Sequence, residues 1–287
     1  MSDPALDYVN ETLRAYHARG LDLRASTDAL ARLAATGERG QSVNLARAEL
    51  PPPPPAPLVR DLQTDPVPVP EFARIAPLTG TNAERLAAMR GPVLACLKCP
   101  QLVRSRTQVV FGVGNPEAEL MFVGEAPGAD EDAQGEPFVG AAGQLLTKII
   151  AAMEFTRDDV YIANILKCRP DMPPGESGNR KPRADEMATC LPYLREQIEI
   201  IRPRALVALG ATAMEGLTGQ TLPMARLRGR WHNFAGIPLM ATYHPAYLLR
   251  NQALSEKRKV WEDMLMVLEK LERPISAKQR GFFLRPG

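Results

Sequence analysis

The sequence is short of the residues and runs that usually announce a function. In 287 residues there are three histidines and four cysteines, and 35 basic residues nearly balance 33 acidic ones, for a formal net charge of +2. A balance so close to neutral selects no class of partner by itself. No apolar run approaches the ~20 residues needed to span a bilayer, so no membrane role is expected. The start, Met1-Ser2-Asp3-Pro4, has no cationic stretch followed by an apolar one. No signal peptide is therefore expected, and the cytoplasm is the expected location. There is no internal repeat, no G-x-G-x-x-G turn and no Walker loop. What is there is a globular composition, 45% apolar and 24% charged, long enough for one large domain and an appendage.

The four cysteines carry the strongest signal. Cys96 and Cys99 form a C-x-x-C pair, with Cys168 and Cys190 far downstream and no fifth cysteine left over. Two have cationic neighbours, in Lys98-Cys99-Pro100 and Lys167-Cys168-Arg169-Pro170. Positive charge favours the thiolate, the form that ligates metals. Four thiolates can hold one tetrahedral zinc or one [4Fe–4S] cluster, and the spacing does not choose between them. Disulfides are not expected in a cytosolic chain of this size.

Residues 4–36 read as helix, with Tyr8, Leu13, Tyr16, Leu21, Leu30 and Leu33 at roughly helical spacing. The run Pro51 to Pro55 is stiff and solvated, which makes residues 37–80 a linker. From 81 to 273 short apolar runs alternate with helical patterns, and 274–287 read as a tail. The expected strands are 119–124, 160–166, 205–209 and 238–242. The expected helices are 143–153, 184–201, a short one after Gly210 and a last one within 245–271. Such alternation implies an α/β fold with a parallel sheet covered on both faces. Ligands then bind beyond the carboxyl ends of the strands.

Those ends hold the chemically distinctive residues. Gly124-Glu125-Ala126-Pro127-Gly128 is a tight turn that lets backbone N–H groups approach a ligand. In Pro137-Phe138-Val139-Gly140 the Phe138 ring either stacks on a planar ligand or packs in the core. Asn164 sits in an apolar strand, where its amide matches a pyrimidine edge or else makes a structural hydrogen bond. His244 follows the last strand, where an imidazole can stabilise developing negative charge. Between 202 and 259 nine basic residues face two acidic ones. That excess reads either as a phosphate-facing surface or as a solvated basic face.

Jointly, Gly124 to Gly128, Pro137 to Gly140, Asn164 with Lys167-Cys168-Arg169-Pro170, His244-Pro245 and the four ordered cysteines resemble the family-4 uracil-DNA glycosylases. This is the iron–sulfur branch of the uracil-DNA glycosylase superfamily, and the likeness covers roughly residues 85–272. It implies a three-layer α/β/α sandwich around a four-stranded parallel sheet. It implies that Cys96, Cys99, Cys168 and Cys190 hold a [4Fe–4S] cluster with a structural role. It also implies that uracil is flipped from single- or double-stranded DNA and its N-glycosidic bond hydrolysed. Phe138 would then stack on the base, Asn164 read its polar edge, and His244 stabilise the departing anion. Glu125 would lie beside the sugar and position water, and Gly124, Ala126 and Gly128 would line the pocket. Arg226, Arg228, Arg230 and Arg250 would meet phosphates, and Leu248 or Leu249 would wedge into the vacated stack.

The chain departs from the pattern in places. Ala126 stands where the better-known branch has an aspartate, Ala246 follows His-Pro where serine is frequent, and the stretch from Cys168 to Cys190 is long. That stretch reads as a surface loop. The competing expectation is a module that binds uracil or abasic DNA and recruits a partner. The expected state is a monomer in the nucleoid, with 1–36 available to a protein partner.

Overall fold

The apolar runs around Leu120, Ile162, Val207 and Met240 are too short for helices and are buried on both sides, as the centre of a parallel sheet requires. A computed structural model describes residues 74–284 apart from 78, 171, 174 and 177. The expected helix over 4–36 and most of the linker lie outside the described residues. The sheet runs β1 (Val113–Gly114), β2 (Leu120–Gly124), β3 (Tyr161–Asn164), β4 (Ala205–Leu209), β5 (Trp231–Phe234) and β6 (Ile237–Thr242), in the order β1-β3-β2-β4-β6-β5.

The four central strands are parallel, as expected, but the sheet is wider than four strands. β1 adds antiparallel to β3, and β5 adds antiparallel to β6. Neither edge has a clear sequence signature. β1 is only two residues long. β5 turns back into β6 through Ala235 and Gly236, both at positive φ (51° and 86°). Two positive φ values are the mark of a primed hairpin turn, which Asn-Gly would have advertised and Ala-Gly does not.

Alternation along the strands builds two cores. Met121, Val123, Ala163, Leu206, Ala208, Leu239 and Ala241 face one side. They pack with α1 (Asn82–Leu94), α2 (Pro100–Ser105) and, later in the chain, the long helix Ala184–Ile201. Leu120, Phe122, Ile162, Val207 and Met240 face the other side, against the helices Ala141–Ala152 and Leu254–Lys270. The result is the three-layer sandwich.

Three boundaries shift. Residues 74–76, assigned to the linker, are tied to the domain: the backbone N–H groups of Ile75 and Ala76 donate to Glu196 (2.8 and 2.6 Å). The expected last helix is two, Pro245–Arg250 and Leu254–Lys270, interrupted where Asn251 Oδ1 accepts the Ala253 N–H. The tail is part of the body, since Trp261 Nε1 donates to the Gln279 carbonyl (2.6 Å) and Gln279 is buried. Among the described residues no helix is long and apolar enough to cross a membrane.

β2 leads out to β3 on one side, and β4 leads out to β6 on the other. The connections thus diverge between β2 and β4, which places a crevice at their carboxyl ends. Phe122, fully buried on β2 beneath that crevice, sets a stability test. Phe122→Ala should cost about 3–5 kcal/mol in urea unfolding, as large-to-small core changes do. A loss below about 1 kcal/mol would mean the site can collapse around the cavity.

Candidate active site

Gly124 and Asn164 end adjacent parallel strands in register. A Cβ on Gly124 would fall 2.4 Å from Asn164 Oδ1 and 2.5 Å from Phe138 Cζ. Only glycine lets the amide and the ring converge there. Asn164 is 2% exposed, and its Oδ1 has no hydrogen-bond partner among the described residues. An orphaned buried acceptor costs about 1–3 kcal/mol, which marks a place kept for a donor.

Phe138 is held in an unfavourable backbone conformation, with φ 56°. Residues distant in sequence fix it there. Arg157 donates to the carbonyls of Phe138 (3.1 Å) and Pro137 (2.9 Å). Glu131 accepts from the N–H groups of Val139 and Gly140 (both 2.9 Å) and of Gly128 (3.0 Å). One carboxylate therefore fastens the Gly124–Gly128 turn to the Phe138 loop. Gly143 allows this packing, because a Cβ there would lie 1.8 Å from the Phe138 carbonyl oxygen. Neither Glu131 nor Arg157 stands out in the sequence. Their signal was faint: an acid in the first turn of a short helix, and an arginine in an ordinary loop.

His244 stands beside Phe138, ring centroids 5.6 Å apart and planes inclined by 31°. Its Nδ1 accepts the N–H of Ala246 (3.1 Å), capping the helix Pro245–Arg250. With Nδ1 an acceptor, the neutral ring carries its proton on Nε2, leaving that N–H as a donor for a ligand. Burial, reinforced by Arg250 and opposed by Glu131, pushes the His244 pKa down to about 4. The imidazole is thus neutral at ordinary pH.

Glu125 follows Gly124, half-buried. Burial raises its pKa, while the Thr212 hydroxyl and the Lys181 charge pull the other way. Ala126 is half-buried against the cysteine-side core. The long stretch between Cys168 and Cys190 is more than a surface loop. It brings Asn179 against Gly128, where a Cβ would meet Asn179 Nδ2 at 3.3 Å. Lys181 pairs with Glu215 (2.5 Å). Asn179 carried no signal in the sequence, because only the fold brings it over the turn.

The basic residues divide. Arg226, Arg230 and Arg250 are exposed. Arg228 is instead committed inside the fold: it pairs with the buried Asp263 (2.9 Å), donates to the Lys259 carbonyl and lies over the Tyr243 ring. Asp263 also accepts the Thr242 hydroxyl (2.7 Å), and burial pushes its pKa up to about 6 against these donors. Leu248 is 5% exposed and belongs to the packed interior, so it is not presented as a wedge. Leu249 beside it is 40% exposed.

None of the four cysteines is in a disulfide, and Cys96 and Cys168 both act electrostatically on Cys99 and Cys190, as Cys96 does on Cys168. Three sulfurs receive hydrogen bonds: Cys168 from Arg106 (3.0 Å), Cys190 from the Lys167 N–H (3.2 Å) and Cys96 from Tyr193 Oη (3.2 Å). Such donors suit thiolates. Lys167 is fully buried, its ammonium on Gln197 (2.6 Å), and burial brings its pKa to about 7. Burial pushes Cys190 up to about 12, with Lys167 opposing. Among the described residues no group of three or more His, Cys, Asp or Glu could hold a single metal ion. A separate open cavity of ≈ 410 Å³, between Arg90, Arg106 and Gly135, lies apart from the residues that converge on Gly124.

Comparison with known proteins accounts for this arrangement. The profile of the uracil DNA glycosylase superfamily matches residues 111–265. A type-4 uracil-DNA glycosylase of Thermotoga maritima is 42% identical over 188 residues, covering 64% of this chain and 93% of that protein. One from Archaeoglobus fulgidus is 42% identical over 173 residues, 58% of this chain and 83% of its own. A type-5 enzyme of Pyrobaculum aerophilum is more distant, 32% identical over 186 residues, 53% of this chain and 79% of its own. Fold, site and profile define a member of the uracil DNA glycosylase superfamily; within it, the chain belongs to the type-4 uracil-DNA glycosylases.

The state of His244 is directly measurable. Nitrogen NMR should find the Nε2–H tautomer from pH 8 to about 5, with protonation centred near the depressed value of about 4. Because the folded pKa lies below the free value of 6.5, the unfolded chain takes the proton first. His244 therefore withdraws stability as pH falls from 6.5 toward about 4. A midpoint near 6.5 would refute the half-buried, Nδ1-accepting geometry.

Proposed function

We propose that this protein removes uracil from DNA by hydrolysing the N-glycosidic bond, leaving an abasic site. The observation that carries the reading is the unpartnered Asn164 Oδ1, buried beside the Phe138 ring where Gly124 has no side chain. Uracil carries an imide N–H that satisfies this acceptor. Cytosine has a bare ring nitrogen at the same position and would leave it orphaned. A site built to bond a donor rejects analogues that lack it far better than an apolar pocket rejects an extra methylene.

A base inside a duplex cannot reach this crevice, so the nucleotide must be extruded at a cost of a few kcal/mol. Arg226, Arg230 and Arg250 are exposed and free to offset that cost at phosphates. Leu249 is the exposed apolar side chain suited to fill the gap. Single strands need no unstacking and are expected substrates too. Its place of work would be the nucleoid.

Bond cleavage puts negative charge on uracil and cationic character on the sugar. The His244 Nε2–H, fixed in direction by the bond to Ala246, would donate to the departing anion. A neutral donor serves here, since it need not hand over its proton. The backbone N–H groups of Glu125 and Ala126 would add to this stabilisation, since Pro127 has none and that of Gly128 is held by Glu131. The Glu125 carboxylate would face the sugar and orient the water that adds to it. Ala126 cannot share that task.

The four-thiol set fits a [4Fe–4S] cluster. Three of its sulfurs, those of Cys96, Cys168 and Cys190, accept hydrogen bonds as thiolates do. The cluster would be held by Cys96, Cys99, Cys168 and Cys190 and would supply a cross-link between three chain segments. Excision is a hydrolysis and changes no oxidation state.

His244→Ala should lower the single-turnover rate of uracil release by about 10²–10³-fold, the range for losing one aimed donor, with DNA binding retained. Equal rates in variant and parent would refute the assignment. Asn164→Asp should abolish the preference for uracil over cytosine, because an acceptor then replaces the amide Nδ2 donor that would face the uracil carbonyl where cytosine carries an amino group; unchanged selectivity would count against the reading. Alkali cleavage of the product strand separates excision from binding alone. The purified protein should be brown and contain iron. Colourless protein with stoichiometric zinc would overturn the cluster.

A further inference from the structure

The cysteine site and the Phe138 loop are linked through one short helix, Ala129–Gln134, by hydrogen bonds on either side of it that are connected along the backbone. At the cysteine end Arg106 donates to Cys168 Sγ (3.0 Å) and to the Cys96 carbonyl (2.7 Å), bridging two of the segments that carry the thiols. The next residue, Thr107, donates its N–H to Asp132 Oδ2 (2.8 Å), and Gln108 Nε2 donates to the Ala133 carbonyl (2.7 Å). Asp132 is 3% exposed, a buried carboxylate in a helix that is otherwise solvated. Among the described residues its side chain bonds only the Thr107 and Gln108 N–H groups, not Gly124, Phe138, Asn164 or His244. Its neighbour Glu131 reaches the other way, to the N–H groups of Gly128, Val139 and Gly140. Adjacent acids on one rigid turn thus hold the cysteine strap and the Phe138 loop in fixed relation.

We propose that Asp132 is a positioning residue that transmits the order of the cysteine site to the Phe138 loop, through Arg106-Thr107 on one side and Glu131 on the other. The inference rests on the reading of the pocket and of the cluster given above. It assigns the cluster a route of influence on uracil binding. It requires nothing of the cluster beyond holding Cys96 and Cys168 in place. The strained φ of Phe138 makes the route matter, because a loop held against its preference relaxes when either anchor loosens.

The test is a double-mutant cycle read by amide hydrogen exchange in the full chain without DNA. Arg106→Met removes the bonds to Cys168 and Cys96, and Asp132→Ala removes the bond to the strap. Each single change should speed exchange at Val139 and Gly140 by about tenfold, and the double should be no faster than the faster single by more than about twofold. On uracil-containing oligonucleotide each should raise KM more than it lowers kcat, since the base plate is loosened and His244 is not. Asp132→Asn, which keeps an acceptor for the Thr107 N–H, should recover most of the protection. Unchanged exchange at Val139 and Gly140, or multiplicative effects in the double variant, would overturn the proposal.

If Arg106→Met sheds its iron, the Asp132 variants still decide, because every contact to sulfur remains in them. A parent protein without iron would overturn the cluster reading alone. The exchange arms would still report whether strap and loop are coupled.

Discussion

One carboxylate sets the geometry on which the site depends. Glu131 gathers N–H groups from Gly128, Val139 and Gly140, so two loops from different parts of the chain become one surface. Phe138 could not otherwise persist at positive φ, a state that costs a bulky residue of order 1–3 kcal/mol. Arg157 closes the arrangement from the opposite side by bonding the two carbonyls that precede Val139. Charge-assisted bonds of this kind are about twice as strong as neutral ones, enough in number here to hold the strain.

Around that frame the site is assembled from groups made uncomfortable by burial. Asn164 has an acceptor without a donor, His244 has an imidazole that cannot readily charge, and Glu125 has a carboxyl whose pKa is raised. Each is a cost to the fold that a correctly shaped ligand would relieve. An apolar crevice also strengthens whatever hydrogen bonds form inside it. Preorganisation and desolvation thus come from one feature, the placement of polar groups where the sheet's carboxyl ends meet two buried cores.

Much of the fold was legible. The four parallel strands and the long helix Ala184–Ile201 follow from apolar runs, periodicity and Pro203, all local properties. The edge strands were not legible, because a two-residue bridge and an Ala-Gly hairpin carry little local information. Gly124, Asn164 and His244 were legible as distinctive residues at strand ends, and they converge as a parallel sheet requires; Phe138 was legible as a loop aromatic between proline and Val139-Gly140, and its loop is brought to them by Glu131 and Arg157. Arg228 was not legible as an internal ion pair. Its partner Asp263 is 35 residues away on another helix, and nothing in a run of arginines says which one turns inward. Leu248 and Leu249 were indistinguishable for the same reason, since helix phase decides which is buried.

The sequence alone determined what is encoded by type and spacing: four thiols, two of them with cationic neighbours, a glycine where no Cβ fits, an amide in an apolar strand, and an imidazole before a proline. Tertiary structure decided which groups would hold them. Glu131, Arg157, Asp132 and Asn179 owe their positions to chain segments brought together from 8 to 51 residues apart in the cases of Glu131 with Val139 and Asn179 with Gly128. Hydrogen bonds form between neighbours in space, and a single sequence states neighbours along the chain only. Its chemistry could therefore be read before its architecture, and the strain that orders the site only after it.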